Sequence, residues 1–315
     1  MKNVSVLAEG LGFPEGPVAL PDGDVLVTEL QHGRLTRVHP DGSTDVVAEV
    51  GGSANGCAIG PDGAAYVCNS GGYGFTELGP MLLPYGPHGV SEMDDYIGGR
   101  IQRVDLATGS VTDLYTECDG NPLRGPNDLV FDSSGGIWFT DHGKTRRRDG
   151  DHGGLYYCRP DGSSISEVVY PLASPNGVGL SPDGATLHVA ETHTGRVWSF
   201  TVEGPGVLGE SAGFGPGGGT LLAGLPGYQL LDSLAVDSEG SVVVATIISG
   251  GFSVIRTDGS VELMPLPADL YDPLPTNICF GGPDLRTAYL TSSANRRLLV
   301  CEWPTAGTPL HFLNV

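Results

Sequence analysis

The chain has 315 residues, of which 50 are glycine and 24 are proline, and its formal net charge is −21. The glycines follow no Gly-X-Y period, which excludes collagen, and a hydrophobic fraction of 39% is too high for a wholly disordered chain. Nucleic acid and anionic membrane surfaces are excluded as partners, because they are bound by clustered lysine and arginine, and this chain is strongly acidic.

The composition also predicts where the protein acts. No apolar run reaches about 18 residues, so no transmembrane helix is predicted, and the segment after Met1 to Ser5 does not resemble a secretory signal. The cysteines form no CxxC pair and no Cys/His cluster, which argues against a zinc site built from them. They are Cys57, Cys68, Cys118, Cys158, Cys279 and Cys301. We interpret them as buried free thiols and expect a cytoplasmic protein.

Short β-branched runs separated by turns recur along the chain, whereas no stretch shows an apolar helical period with caps at both ends. The turns share one chemistry, in which Asp supports the turn with its side chain and Gly takes the positive-φ position. They are Pro21-Asp22-Gly23, Pro40-Asp41-Gly42, Pro61-Asp62-Gly63, Pro160-Asp161-Gly162, Pro182-Asp183-Gly184 and Thr257-Asp258-Gly259. Alternating apolar residues flank these turns, as at Val25 and Val27, and the pattern predicts β-hairpins.

A longer period joins these hairpins. Six segments begin with a polar residue beside Pro or Gly, followed by a short apolar strand, a turn and a second strand. The polar residues are Glu15, Asn55, Asn127, Asn176, Asp232 and Asn277, with spacings of 40, 72, 49, 56 and 45 residues. Four-stranded repeats of about 40–50 residues are typical of β-propellers. We therefore predict an all-β fold, a six-bladed β-propeller that forms a single domain over residues 1–315.

Two parts of the chain stand outside the repeat. The longest spacing contains a Gly/Pro-rich insertion at about residues 71–99 in the second blade, with aromatic residues such as Tyr73 and Tyr85. A lid that selects substrate and a packed surface loop are equally good interpretations of it. The chain ends are expected to complete the last blade, with an N-terminal strand at Val4–Leu7 beside a C-terminal strand at Leu310–Val315.

The six repeated polar residues predict a site. The first strand of each propeller blade lines the central channel, so residues at the starts of these strands should surround one mouth of it. All six side chains offer oxygen, and a ring of hard oxygens with two carboxylates suits Ca²⁺, with Mg²⁺ and Mn²⁺ as alternatives. The competing interpretation is that each residue only supports a turn. Matched positions in all six repeats favour the metal site.

The chain resembles the SMP-30/gluconolactonase/luciferin-regenerating-enzyme family of six-bladed propellers over essentially its whole length. The resemblance is carried by the order and spacing of several segments, among them Phe13-Pro14-Glu15-Gly16-Pro17, Gly125-Pro126-Asn127-Asp128-Leu129, Pro175-Asn176-Gly177 and Asp232-Ser233-Leu234-Ala235-Val236-Asp237. It implies a divalent cation, usually Ca²⁺ and sometimes Zn²⁺, held by Glu15, Asn176 and Asp232. It also implies that Asn127 lies near the metal as a ligand or substrate contact, and that Asp232 transfers protons. Arg124 is a looser match to an arginine that binds sugar hydroxyls in some members.

These observations predict a metal-dependent hydrolase that opens a lactone to a hydroxy acid, acting on a small-molecule lactone or ester. The predicted metal ligands are Glu15, Asn127, Asn176 and Asp232, with Asp232 also the general base. The predicted substrate contacts are Arg124, Asn55, Asn277 and His142, whereas His193 is interpreted as a hairpin turn residue. Other chemistry at the same metal site (phosphotriester hydrolysis, cyclisation or isomerisation) and a non-catalytic binding propeller stay open as alternatives.

Overall fold

Strands form nearly all the regular structure in the part of the chain that the computed structural model describes, residues 1–210 and 213–314. In chain order they are β1 (Lys2–Glu9), β2 (Pro14–Ala19), β3 (Val25–Glu29), β4 (Arg34–Val38), β5 (Thr44–Glu49), β6 (Ala54–Ile59), β7 (Ala65–Asn69), β8 (Thr76–Leu78), β9 (Met81–Leu83), β10 (Arg100–Val104), β11 (Val111–Tyr115), β12 (Glu117–Cys118), β13 (Asn121–Pro122), β14 (Pro126–Phe131), β15 (Ile137–Asp141), β16 (Gly153–Cys158), β17 (Ile165–Leu172), β18 (Pro175–Leu180), β19 (Thr186–Glu191), β20 (Arg196–Gly204), β21 (Val207–Leu208), β22 (Thr220–Gly224), β23 (Leu230–Val236), β24 (Val242–Ile247), β25 (Gly251–Ile255), β26 (Val261–Pro265), β27 (Pro275–Gly281), β28 (Thr287–Ser292) and β29 (Arg297–Glu302). The 3-10 helices in this part are Pro87–Gly89, Pro216–Gly218 and Ala268–Leu270. None of its helices has the length and apolar character needed to cross a membrane.

Most of the strands pair into six antiparallel sheets, which are the six blades of a propeller, while β8 with β9 and β12 with β13 form two separate hairpins. Blade I contains β2 to β5, blade II β6, β7, β10 and β11, and blade III β14 to β17. Blade IV contains β18, β19, β20 and β22, with β21 appended, blade V β23 to β26, and blade VI β27, β28, β29 and β1. The innermost strands, from β2 through β6, β14, β18, β23 and β27, contact one another in a closed ring. The predicted all-β, six-bladed propeller is confirmed.

The local turn chemistry that the sequence indicates is present in the structure. In all six Asp-Gly turns the glycine adopts a positive φ, between +71° and +95°. The aspartate accepts from the backbone two residues later, as Asp41 Oδ1 does from Ser43 N at 2.9 Å and Asp183 Oδ1 from Ala185 N at 3.0 Å. These turns join neighbouring strands of one blade, so the sheets can form from short local segments.

The hydrophobic core is divided among the gaps between neighbouring blades. Each of six apolar clusters in the described chain contains residues from two adjacent blades. Trp138 of blade III, fully buried, belongs in this way to the same cluster as Val189 of blade IV. All six cysteines are buried and free, which confirms their interpretation as buried thiols. Each blade is therefore packed against a neighbour on both of its faces. The closed ring of blades supports the mouth of the channel as one packed body.

The N-terminal strand closes the propeller, but the C-terminal strand predicted at Leu310–Val315 is wrong. β1 pairs antiparallel with β29, with Ser5 opposite Val300. Residues 311–314 form a turn instead of a strand, and Val315 lies outside the described residues. The reason is a tertiary contact: Thr308 N donates to Val236 O at 3.0 Å, which leads the chain away from the edge of β1.

The C-terminal segment, residues 308–314, lies instead at the end of the channel opposite the predicted site. Leu310, His311 and Leu313 line a cavity of about 310 Å³, together with side chains from the innermost strands. The Phe312 ring packs edge-on against Phe131, with centroids 5.8 Å apart. We call this end of the channel the lower mouth and the end that carries the six repeated polar residues the upper mouth. The C-terminal segment covers the lower mouth, so the upper mouth is the route to the polar residues.

Candidate functional site

The six repeated polar residues occupy matched places in the six innermost strands. Each is the second or third residue of its strand, and in each blade the pairing with the second strand shifts register at or next to it. A bulge of this kind redirects a side chain out of the regular alternation of a strand. The sequence repeat therefore corresponds to a structural ring, and we call these six residues the ring.

The ring is narrow because the backbones of neighbouring blades meet there. Gly16 has a φ of +43°, and a Cβ on it would lie 2.4 Å from Asn55 O. A Cβ on Gly177 would likewise lie 2.9 Å from Asp232 O. These glycines follow ring residues directly, and no larger residue fits at such a distance from the next blade. Backbone packing thus sets the spacing of the ring side chains.

The two carboxylates of the ring, Glu15 and Asp232, are both desolvated. Glu15 is 2% exposed, and its Oε2 accepts from Asn277 Nδ2 at 2.9 Å and from Gly16 N at 3.0 Å. Burial raises the pKa of Glu15, while hydrogen bonds from Thr276 and Asn277 oppose the rise. Burial raises the pKa of Asp232 well above its ordinary value, and the negative charge of Glu15 raises it further. A bound cation would favour the ionised form of both groups.

The amide oxygens of the ring provide a second indication of a cation. Asn127 Oδ1 is buried and has no hydrogen-bond partner among the described residues. Asn176 Nδ2 donates to Thr192 Oγ1 at 3.1 Å, and its Oδ1 accepts a long hydrogen bond of 3.4 Å from Ser233 Oγ. A buried carbonyl oxygen without a partner costs free energy, and coordination of a cation would satisfy it.

The residues present therefore fit a hard divalent cation. Glu15, Asn127, Asn176 and Asp232 would supply four oxygen donors, which is the donor type that Ca²⁺ prefers. Within residues 1–210 and 213–314, no three His, Cys, Asp or Glu side chains are grouped as a metal site. A cation here would depend on asparagine oxygens as much as on carboxylates, and this favours Ca²⁺ over Zn²⁺.

A third acidic residue, Asp128, lies next to the ring and was not singled out as a site residue by the sequence. It is 7% exposed, and its side chain lines the cavity below the ring. Burial, and then the charge of Glu15, raise the pKa of Asp128 to about 7. A third buried acidic group thus lies close to the two carboxylates of the ring.

The predicted substrate contacts Asn55 and Asn277 are both buried in the ring. Asn277 donates to Glu15, as described above. The backbone carbonyl of Asn55 accepts a hydrogen bond from Thr28 Oγ1 of blade I. Both residues therefore help to position the ring, and their contact with substrate stays a prediction.

His142 lies at the rim of the mouth, between blades III and IV. Its backbone N donates to Gly125 O at 2.9 Å, and its ring packs edge-on against His193, with centroids 5.9 Å apart. Burial, and then His193, lower the pKa of His142 to about 3, so its imidazole is neutral at pH 7. His193 follows Thr192, the partner of Asn176, and therefore lies beside the ring. The available sequence signal was that both histidines follow the second strand of their blades.

The insertion, residues 70–99 between β7 and β10, lies across the upper mouth, and we call it the roof. Its hairpin of β8 and β9 is anchored on the side of blades VI and I. Leu82 is fully buried against Phe13 and Leu30, and its N donates to Ala294 O at 2.9 Å. The Phe75 ring packs on Phe13 with a centroid distance of 5.8 Å.

The other end of the roof is bound to blade III. Ser91 N and Glu92 N both donate to Thr145 O, at 3.0 and 3.2 Å. The predicted substrate contact Arg124 pairs with Glu92 of the roof and with Asp151 at 3.0 Å. Its guanidinium is thus engaged between the roof and blade III. Because the roof is fastened on opposite sides of the channel, it covers part of the mouth.

Comparison with known proteins agrees with this architecture. The chain is 26% identical over 314 aligned residues to a gluconolactonase of Zymomonas mobilis, covering 93% of this chain and 79% of the relative. It is 27% identical over 253 residues to lactonase drp35 of Staphylococcus aureus, covering 80% of this chain and 67% of the relative. A solved structure of regucalcin, a calcium-binding protein of Agrobacterium tumefaciens, shares the fold with a TM-score of 0.70 at 18% identity, over 96% of this chain and 94% of that one.

A family profile described as the SMP-30/gluconolactonase/LRE-like region matches residues 13–294, from the residues just before β2 to the turn after β28. The match includes all six ring residues and the roof. Together with the propeller fold, it shows that the chain belongs to the SMP-30/gluconolactonase/LRE-like family.

Proposed function

We propose that the protein is a metal-dependent lactonase that opens a lactone to a hydroxy acid. The observation that carries the proposal is the convergence of Glu15, Asp232 and the unpartnered oxygen of Asn127 at the roofed mouth of the channel. Relatives named gluconolactonase and lactonase support this reaction type. Lactones of sugar acids are therefore the first substrates to test.

In this proposal, Glu15, Asn127, Asn176 and Asp232 hold one divalent cation, and the hard oxygen donors favour Ca²⁺. The calcium-binding regucalcin that shares the fold supports the same ion. When bound, the cation would polarise the ester carbonyl and stabilise negative charge on its oxygen during hydrolysis. Asn277 would keep Glu15 in place through the 2.9 Å hydrogen bond described above.

Asp232 is proposed as the general base, because it is a carboxylate at the mouth. It would take a proton from the attacking water, whose oxygen then bonds to the carbonyl carbon. The bond between that carbon and the oxygen atom in the lactone's own ring then breaks, and this lactone oxygen receives the proton from Asp232. The products balance as one hydroxy acid from one lactone and one water. The roof would limit competing access of solvent to the substrate.

We also propose that the protein acts in the cytoplasm on small molecules. Its six free, buried thiols fit a reducing compartment. Its net charge of −21 disfavours polyanionic partners.

A lactone panel tests the proposal. Gluconolactone and an aliphatic lactone are incubated with the protein in weak buffer with a pH indicator. The assays run with and without a chelator, followed by re-addition of Ca²⁺, Mg²⁺, Mn²⁺ or Zn²⁺. Calorimetry of cation binding to the wild type and to Asn127→Leu, which removes the unpartnered oxygen, accompanies the assay.

Acid release that stops with chelator and returns with Ca²⁺ is the expected result, with weaker cation binding by Asn127→Leu. Cation binding without turnover of any lactone would overturn the lactonase assignment in favour of other chemistry at the same site. Absence of cation uptake by the wild type would overturn the metal site itself.

A further inference from the structure

Lys144, in the loop between β15 and β16, is a lysine in an unusual environment. It is 2% exposed, and its ammonium donates to the carbonyl oxygen of Gly72 in the roof at 2.7 Å. The same Nζ lies 3.6 Å from the ring centroid of Tyr73 and 5.6 Å from that of Tyr96. Burial of an ammonium is unfavourable unless its contacts compensate. Burial lowers the pKa of Lys144 to about 7, and the negative charges of Asp141, Glu92 and Asp151 oppose the fall. The direct contacts of its Nζ, Gly72 O and the two tyrosine rings, belong to the roof. Lys144 therefore fixes the roof segment that carries Tyr73.

Tyr73 contacts this lysine and also packs beside residues that neighbour the ring. Its side chain belongs to the apolar cluster of Phe13 and Leu274, and these two residues directly precede the strands that carry Glu15 and Asn277. Burial, and then the negative charges of Asp232, Asp141 and Glu15, raise the pKa of Tyr73, so the phenol is protonated at neutral pH. Its hydroxyl forms no hydrogen bond with any residue that the structure describes.

The aromatic ring of Tyr73 is held rigidly, whereas its hydroxyl is free to donate a hydrogen bond. Cation–π contact with Lys144 supports the aromatic ring of Tyr73 on one side, and the cluster that contains Phe13 and Leu82 packs against the same side chain. The hydroxyl is the one polar atom of this side chain, and acidic residues of the mouth lie near enough to influence it. A rigid donor above a reaction site can orient a substrate at little entropic cost.

We propose that the Tyr73 hydroxyl contacts the substrate, donating a hydrogen bond to a hydroxyl or ring oxygen of the lactone, and that Lys144 is the positioning residue that holds Tyr73 over the ring. The identity of the substrate rests on the proposed function. The contact favours oxygen-rich lactones over purely aliphatic ones, because the former offer several more acceptors to a hydroxyl donor.

Five variants test the proposal in Ca²⁺-loaded protein, with Lys144→Arg as the conservative change. Tyr73→Phe removes only the hydroxyl, Lys144→Met removes the ammonium, and the third variant combines both changes. Tyr85→Phe is the matched control, since Tyr85 is a roof tyrosine whose side chain is 42% exposed. The measurements are kcat and KM for gluconolactone, the affinity for its hydroxy-acid product gluconate by calorimetry, and the affinity for Ca²⁺.

Tyr73→Phe should lower kcat/KM and gluconate affinity about tenfold, the value of one hydrogen bond, with the affinity for Ca²⁺ unchanged. Lys144→Met should cause a similar loss, and the double variant should be no worse than either single variant, because both act through one contact. Lys144→Arg, which keeps a cation over the aromatic ring of Tyr73, should recover part of the lost kcat/KM and gluconate affinity. Tyr85→Phe should match the wild type.

Unchanged kcat/KM and gluconate affinity in Tyr73→Phe would overturn the contact, and independent, multiplying losses in the double variant would overturn the role of Lys144. If Lys144→Met fails to fold, Tyr73→Phe and Lys144→Arg still decide the matter. If the wild type hydrolyses no lactone, the proposed function fails, yet a loss of gluconate binding in Tyr73→Phe would still support the contact. No gluconate binding by the wild type would overturn it.

Discussion

Replacement of Asp232 by asparagine removes the proposed general base and one negative charge at the proposed cation site, and it preserves the shape of the side chain. The two side chains have nearly the same size, and the Oδ1 of asparagine can still accept the hydrogen bond that Ser233 N donates to Asp232 at 3.1 Å. Glu15 and the two asparagine oxygens remain for a cation. The variant therefore separates proton transfer from the shape of the mouth.

The expected magnitude follows from the role of the carboxylate. General-base catalysis contributes about 10²–10⁴-fold to a rate, and each factor of ten corresponds to about 1.4 kcal/mol of barrier. We therefore expect kcat to fall by about 10²–10⁴-fold, a barrier higher by about 3–5 kcal/mol. Loss of one negative charge should also weaken Ca²⁺ binding, so kcat must be measured at saturating Ca²⁺.

Asp237→Asn provides the matched control for this experiment. Asp237 follows the last residue of β23, the strand that carries Asp232 near its start, and is also buried, at 2% exposure. Its Oδ1 accepts from Ser241 N at 2.8 Å and from Glu239 N at 3.0 Å, bonds that an asparagine can keep. Its kcat should equal that of the wild type.

Two results would refute the reasoning about Asp232. Wild-type turnover by Asp232→Asn with Ca²⁺ bound would show that this residue is not the base. Equal losses in Asp232→Asn and Asp237→Asn would show that the effect reflects damage to blade V. Both outcomes are read from the same indicator assay, with Ca²⁺ occupancy checked by calorimetry.

Three further predictions concern the roof, a buried ion pair within blade I and the covered lower mouth. Leu82→Ala should weaken the packing of the roof on the propeller by about 2–5 kcal/mol, and it should therefore speed proteolysis within the roof. Leu78→Ala, at an exposed position of the same hairpin, should leave the rate of proteolysis unchanged. Burial raises the pKa of Glu29, but hydrogen bonds from Arg34 and other donors bring its net pKa below the ordinary value; Glu29→Gln should therefore lower Tm at neutral pH, with a difference that shrinks as pH falls through about 4 and below. Phe312→Ala should reduce the free energy of unfolding by up to about 3 kcal/mol in a denaturant titration, and an unchanged midpoint would show that the C-terminal segment adds no stability.

Local signals in the sequence were sufficient for the fold and for the positions of the ring. An Asp-Gly turn or an alternating strand is decided within a few residues, and six repeats of such units can close only with their first strands inward. Glu15, Asn127, Asn176 and Asp232 were therefore recognisable as neighbours although the chain separates them widely. The sequence also identified the residue type at each position, which is the basis for proposing a hard cation.

Contacts between distant segments decided the rest. The C-terminal segment covers the lower mouth because Thr308 bonds to Val236, a pairing that no period of the sequence records. His142 meets His193 only because blades III and IV adjoin. The roof reaches across the mouth because Leu82 inserts beside Phe13, and Lys144 meets Tyr73 because that roof is docked. Such contacts depend on the shapes of surfaces formed after the blades assemble, and only the tertiary structure determines them.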